Sequence, residues 1–189
     1  VTAGPTVEVI DPVRYVSNRS SGKMGYAIAE ALRDKGAIVT LISGPTHLSL
    51  PEGINVVKVE SADDMFQAVT ERFAKQDIVI KAAAVSDYTP MDILEHKLKK
   101  QEGGLSVQFK RTKDILKYLG ENKTHQYLVG FAAETQNIEQ YALDKLKRKN
   151  ADVIISNNVG DTSIGFSSDD NELTLSLIHI SEPTRQAEI

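Results

Sequence analysis

Five short, β-branched apolar runs alternate with helix-period segments along this chain, and that alternation confines the fold more than any other feature. The runs at 37–43, 55–59, 77–82, 127–131 and 152–156 are each nearly continuous in apolar content. Strands of a parallel sheet covered on both faces read this way, whereas a strand with one wet face alternates. Between them, 21–35, 62–75, 113–120 and 138–149 are read as helices. Strand-helix alternation predicts an α/β protein: a doubly wound, Rossmann-like, mostly parallel sheet. The helix ends are marked consistently. Gly36 follows the first helix, Ser61 stands before the second with Asp63 and Asp64 in its first turn, and Thr112 precedes Lys113 and Asp114 at the third.

One stretch breaks the pattern. Residues 86–104 carry Pro90, Gly103, Gly104 and several lysines without clean periodicity, so they are expected to form an inserted flap or binding segment. With 189 residues, 41% hydrophobic and 25% charged, the chain suits one domain of ordinary size. No apolar run approaches the roughly 20 residues of a membrane span, and no leader pattern opens the chain, so the protein reads as cytoplasmic with no membrane partner. The absence of cysteine excludes disulfides, thiolate zinc sites and thiol nucleophiles, and the four histidines, His47, His96, His125 and His179, show no metal-ligand spacing. A net charge of −4 argues against a general nucleic-acid binder. Positive charge is nonetheless concentrated at Lys97, Lys99 and Lys100 and again at Lys145, Lys147, Arg148 and Lys149, which suggests a small anionic ligand.

The run Asn18-Arg19-Ser20-Ser21-Gly22-Lys23-Met24-Gly25 has the composition of an anion cradle. Two hydroxyls are placed to cap the first helix, glycines let backbone N–H groups approach a ligand closely, and the helix dipole favours phosphate. In an open parallel sheet, ligands sit beyond the carboxyl ends of the strands, which singles out the loops 4–18, 83–87, 132–135 and 157–158. All four carry small or polar residues, and Asp87 beside Ala83 and Ala84 has the least structural excuse. The ends look less regular. The first strand is expected to be short, and 176–189, with its Ser-Glu-Pro-Thr-Arg-Gln run, is read as a non-native tail following a domain of residues 1–175.

Six motifs in order carry a family resemblance. They are Gly4-Pro5-Thr6, Asp11-Pro12-Val13-Arg14, the Asn18 to Gly25 run, Ala82-Ala83-Ala84-Val85-Ser86-Asp87-Tyr88, Lys97-Leu98-Lys99-Lys100 and Gly130-Phe131-Ala132-Ala133-Glu134-Thr135. On these the chain resembles phosphopantothenoylcysteine synthetase, the ligase half of the bifunctional bacterial coenzyme A biosynthesis protein. The resemblance implies that the carboxylate of 4'-phosphopantothenate attacks the α-phosphorus of CTP, releasing pyrophosphate, and that the amine of cysteine then displaces CMP from the acyl-cytidylate. Such chemistry needs no protein nucleophile; it needs positioning and charge neutralisation, usually with Mg2+.

The resemblance also implies site residues. The phosphates would lie against Gly4, Ser20, Gly22 and Gly25, and Asn18 would hold the substrate carboxylate, with Arg14 supporting it. Ala82, Ala83, Ala84 and Asp87 would line the crevice, and Lys97 with Lys100 would meet the nucleotide from a flap. Further nucleotide contacts are implied at Lys113, Asp114, Ile115, Leu116, Phe131, Lys145, Lys149 and Asn157, while Lys147 and Arg148 read as exposed helix. A homodimer with subunit-spanning sites is implied, as is a fused or separate flavin-dependent decarboxylase, with no flavin expected in this chain. The resemblance of the Lys97-Leu98-Lys99-Lys100 flap and of the Ser21-Gly22-Lys23-Met24-Gly25 run to the bacterial type implies CTP rather than the ATP of animal relatives. Two other classes share the coarse architecture. An NAD(P)-dependent oxidoreductase is disfavoured because no G-x-G-x-x-G directly follows the first strand, and a non-catalytic nucleotide-binding module stays open.

Overall fold

A computed structural model describes residues 1–100, 103–134, 138–158 and 173–177. In chain order the elements are β1 (Thr2–Ala3), β2 (Val7–Val9), β3 (Tyr15–Ser17), α1 (Lys23–Asp34), β4 (Thr40–Ser43), β5 (Asn55–Lys58), α2 (Ala62–Phe73), β6 (Ile78–Lys81), β7 (Tyr88–Pro90), β8 (Phe109–Arg111), α3 (Ile115–Asn122), β9 (Tyr127–Glu134), α4 (Ile138–Lys149), β10 (Val153–Asn158) and β11 (Leu173–Leu177). Seven strands form one sheet in the order β11-β10-β9-β6-β1-β4-β5. The pairs β1–β4, β1–β6, β4–β5 and β9–β10 are parallel, and only the β10–β11 pair is registered antiparallel among the described pairs of this sheet. The mostly parallel, Rossmann-like α/β sheet expected from the alternation is therefore the fold.

The chain divides into two compact units, Val1–Gln76 with Lys81–Ile115, and Asp77–Ile80 with the residues from Leu116 onward. In the first, Ala3, Tyr26, Ala29, Val39 and Leu41 form a buried cluster, with Val1, Leu32, Leu48, Ile54 and Val56 packed against it. Tyr26, Ala29 and Leu32 recur at helical spacing, so one face of α1 covers β1 and β4; complete burial of a side chain such as Leu41 stabilises by about 1.5–3 kcal/mol. Helix α2 begins with the capping box its sequence announces: Ser61 Oγ accepts from Asp64 N at 3.1 Å and Asp64 Oδ2 accepts from Ser61 N at 2.9 Å. In the second unit, α4 buries Ala142 and Leu146, and the strands bury Leu128, Val129, Val153 and Ile154. Asp152 fastens this unit locally, accepting from Leu128 N at 2.7 Å and pairing with Lys123 at 2.8 Å.

Several expectations are corrected. The first helix starts at Lys23, not at residue 21, because Gly22 occupies its N-cap in a left-handed conformation (φ 81°) that Ser20 and Ser21 do not adopt. Thr112 does not cap α3, which starts at Ile115; its hydroxyl donates instead to the carbonyl of Ser86 at 2.7 Å. The loop 4–18 contains the antiparallel β2–β3 ribbon, and the irregular segment begins with β7, which pairs with β8. Three-residue ribbons are too short for period-2 patterning to register. The boundary at residue 175 falls inside β11, where Val153 is registered with Leu177 and Ile154 with Ser176. The remainder of the expected tail, 178–189, lies outside the described residues, as does Thr135.

Candidate functional site

In the first unit, the chain reverses sharply at the carboxyl end of β1 and again at the amino end of α1, and both reversals use glycine. Gly4 has φ 73° and Gly22 has φ 81°. A Cβ on Gly22 would stand 2.7 Å from Thr46 Cγ2 and 3.3 Å from the Cα and N of Gly4, so the two turns touch where no side chain fits. Thr46 was invisible as a site residue in the sequence, yet there was a signal. Gly44-Pro45-Thr46 after β4 repeats Gly4-Pro5-Thr6 after β1, and a Cβ on Gly44 would fall 1.7 Å from the carbonyl oxygen of Pro5.

The amino end of α1 differs from that of α2. No side chain caps it and no acidic residue lies in its first turn; the Ser21 hydroxyl accepts from Lys23 N only at 3.4 Å, too long for a strong bond. At α2 the same position is filled by the protein's own carboxylates, since Glu8 Oε1 accepts from Ala62 N at 2.9 Å alongside the Asp64 contact. Gly25 serves packing: a Cβ there would lie 2.5 Å from Ala3 Cβ and 3.0 Å from Thr2 O, so its missing side chain lets α1 rest on β1. Ser20 is half-buried beside this turn.

The loop after β6 is laced to the loop after β1. Ala84 N donates to Gly4 O at 2.9 Å, Thr6 N to Ala84 O at 3.2 Å, Ala83 N to Thr2 Oγ1 at 3.2 Å and Ser86 N to Thr6 Oγ1 at 2.9 Å. Asn18 joins them, its side-chain Nδ2 donating to Ala84 O at 3.1 Å while the residue stays exposed. Gly4, Gly22, Asn18, Ala83 and Ala84 are thus brought together at the carboxyl ends of neighbouring strands, with Ala82 half-buried at the start of the loop. Asp87 is exposed, its carbonyl accepting from Thr112 N at 2.9 Å.

Arg14 and the basic run form a second cluster in the same unit. A cleft of about 590 Å³ is lined by Arg14, residues 97–100 and residues 103–105. Lys97, Lys99 and Lys100 are exposed, and among the described residues no acidic side chain pairs with them. Lys113 is engaged elsewhere, paired with Asp63 at 2.8 Å and 4.7 Å from the centre of the Phe66 ring. The Lys113 hydrogen bond, with Gln67 assisting against partial desolvation, holds the Asp63 carboxyl below the usual carboxylate range. Asp114 is exposed, while Ile115 is buried in the core.

The remaining expected residues belong to the second unit. Leu116 is buried there. Lys145 and Lys149 are half-buried one helical turn apart on α4, and Lys145 Nζ donates to the carbonyl of the half-buried Phe131 at 3.0 Å. Lys147 and Arg148 are exposed, as their positions on the helix suggested. Asn157 lies in β10, registered with Ala133, and its side chain is outside the described residues. Among the described residues no three His, Asp or Glu side chains converge to hold a metal ion, and no helix is long and apolar enough to cross a membrane.

A mostly parallel sheet with a glycine-built turn between β1 and α1 defines the chain as a Rossmann-like α/β protein. Comparison with known proteins refines the class: residues 1–186 match the model of the DNA/pantothenate metabolism flavoprotein C-terminal domain, and the chain belongs to that family. It is 54% identical over 176 residues to the coenzyme A biosynthesis bifunctional protein CoaBC of Bacillus subtilis, covering 93% of this chain and 43% of that protein. It is 47% identical over 179 residues to the CoaBC protein of Escherichia coli, with 93% and 44% covered. A crystal structure of the C-terminal domain of CoaBC superposes with a TM-score of 0.79 at 47% identity, covering 94% of this chain and 79% of that one. The chain thus spans less than half the length of the curated relatives it matches.

Proposed function

We propose that this chain is the ligase part of a coenzyme A biosynthesis protein, joining 4'-phosphopantothenate to cysteine at the expense of CTP. One observation carries the reading: the uncapped amino end of α1, enclosed by Gly4 and Gly22, lies beside the exposed amide of Asn18. The identity to CoaBC proteins supports the pathway.

In this reading the triphosphate rests against the main chain of Gly4, Ser20 and Gly22, with N–H groups and the helix dipole neutralising it. Gly25 contributes by letting the helix sit close to β1. Asn18 presents the substrate carboxylate to the α-phosphorus; its neutral amide donates a hydrogen bond without drawing charge from the attacking oxygen. That oxygen bonds to phosphorus as the bond to pyrophosphate breaks. The cysteine amine then attacks the acyl carbon, loses its proton, and CMP departs with the former carboxylate oxygen. Lys97 and Lys100 supply the charge that the leaving pyrophosphate needs, and Arg14 holds their segment. Ala82, Ala83, Ala84 and Asp87 line the crevice. Mg2+, when bound, supplies further charge neutralisation.

A homodimer completes the proposal. Val13, Tyr15, Tyr88 and Ile93 are each at least half exposed on or beside the two short ribbons, and a second copy would cover them. Pyrophosphate release on mixing CTP, phosphopantothenate and cysteine tests the ligase. A parallel titration with NADPH tests the oxidoreductase class; tight NADPH binding with no pyrophosphate release would reverse the assignment.

A further inference from the structure

Asp11 lies in the connection between β2 and β3 with its side chain fully buried, where a carboxylate is costly unless every oxygen is bonded. Oδ1 accepts from Val13 N at 2.8 Å and Arg14 N at 2.9 Å, an Asx turn that accounts for the local loop. Oδ2 is directed far along the sequence: it accepts from Leu98 N at 3.1 Å and lies 3.4 Å from Arg14 Nε. The Arg14 guanidinium donates in turn to the carbonyl of Leu98. One ion pair therefore holds both main-chain groups of the residue between Lys97 and Lys99. A neighbouring main-chain bond, Leu94 N to Ile10 O at 3.0 Å, joins the same two segments.

This arrangement opposes a physical tendency. Lys97, Lys99 and Lys100 repel one another, and among the described residues no acid pairs with them, so an untethered run would spread into solvent. Burial raises the Asp11 pKa, but the N–H bonds from Val13, Leu98 and Arg14, with the Arg14 charge, outweigh it and keep the carboxyl below its ordinary range. The tether is thus ionised at neutral pH. Cations on a fixed backbone lose less freedom when an anion arrives.

We propose that Asp11 is a positioning residue that acts through Leu98 to hold Lys97, Lys99 and Lys100 as a preformed cationic cleft for the triphosphate, a role that rests on the ligase reading above. Asp11→Asn discriminates, because the amide oxygen still accepts from Val13 and Arg14 while its NH2 group opposes Leu98 N–H and the charge facing Arg14 is lost. Trypsin digestion without nucleotide, followed by mass spectrometry, is expected to show several-fold faster cleavage after Lys97, Lys99 and Lys100 in the variant and unchanged cleavage elsewhere. CTP affinity is expected to fall about tenfold, the loss of one charge-assisted hydrogen bond, with KM for cysteine unchanged. Unchanged cleavage overturns the tether. Faster cleavage with unchanged CTP affinity overturns its role in nucleotide binding. Failure of the wild-type protein to bind CTP overturns the ligase reading instead, and the nucleotide-free cleavage keeps that result distinct. Should the variant not fold, amide hydrogen exchange in the wild-type protein decides: Leu98 is expected to exchange much more slowly than Lys99 and Lys100, and equal rates overturn the proposal.

Discussion

The side-chain amide of Asn18 donates to the main-chain carbonyl of Ala84 at 3.1 Å, tying the loop that enters α1 to the loop that leaves β6. Because the residue is exposed, this bond contributes only about 0.5–1.5 kcal/mol. Asn18→Ala is therefore expected to fold, with Tm lowered by no more than about 2–6 °C, and to bind CTP normally. Amide formation is expected to fall by about 100-fold or more, the usual cost of removing a placed donor. Normal product formation by this variant would remove Asn18 from the mechanism.

Lys97 is exposed and unpaired among the described residues, so its substitution leaves no buried charge. Lys97→Gln is expected to fold as the wild type does and to weaken CTP binding by about tenfold, as for loss of a charge-assisted bond. The difference should narrow as ionic strength rises, since the contact is screened. Calorimetric titration at low and high salt checks both; equal affinity at low salt would dismiss the flap contact.

Gly25 and Gly104 form a matched pair of tests. A Cβ on Gly25 would collide with Ala3 Cβ at 2.5 Å, whereas at Gly104 nothing lies within 4 Å. Gly25→Ala is expected to destabilise by about 1–3 kcal/mol through overpacking of α1 on β1. Gly104→Ala is expected to stay within about 0.5 kcal/mol of the wild type. Urea unfolding of both variants reads the contrast, and equal midpoints would contradict the packing described for α1.

Lys81 is buried at the end of β6, its Nζ 3.9 Å from Met65 Sδ. Burial lowers its pKa from 10.5 to about 8, with Asp114 opposing the shift. Between those two values the unfolded chain holds the extra proton, so stability rises with pH across that window; below pH 8 the buried ammonium costs the full penalty. Lys81→Met is expected to be more stable than the wild type at pH 7, by at most about 3 kcal/mol for this shift. The advantage should shrink as pH rises from 8 towards 10.5. A constant difference across that range would show that Lys81 is not desolvated.

Much of this was legible in the sequence because it depends on local rules. The 62–75 helix was announced by Ser61 and Asp64, and the continuous apolar strands declared a covered parallel sheet. The glycine run 18–25 was found, but its caps were misassigned, since whether Ser21 or Gly22 closes a helix depends on a backbone conformation that only the contact with Gly4 and Thr46 dictates. Thr112 likewise looked like a cap and serves as a tie to Ser86, a partner 26 residues away. The sequence around Asp11 shows no role for it, because the atom it holds lies 87 residues further on. Long-range main-chain contacts of this kind leave no periodic trace.

The central claim is that a carboxylate oxygen of phosphopantothenate bonds to the α-phosphorus of CTP. Phosphopantothenate labelled with ¹⁸O in its carboxylate, turned over with CTP and cysteine, tests this directly when the released nucleotide is weighed by mass spectrometry. The expected result is CMP carrying one labelled oxygen, in step with amide formed. Unlabelled CMP, or CDP with labelled phosphate, would contradict it.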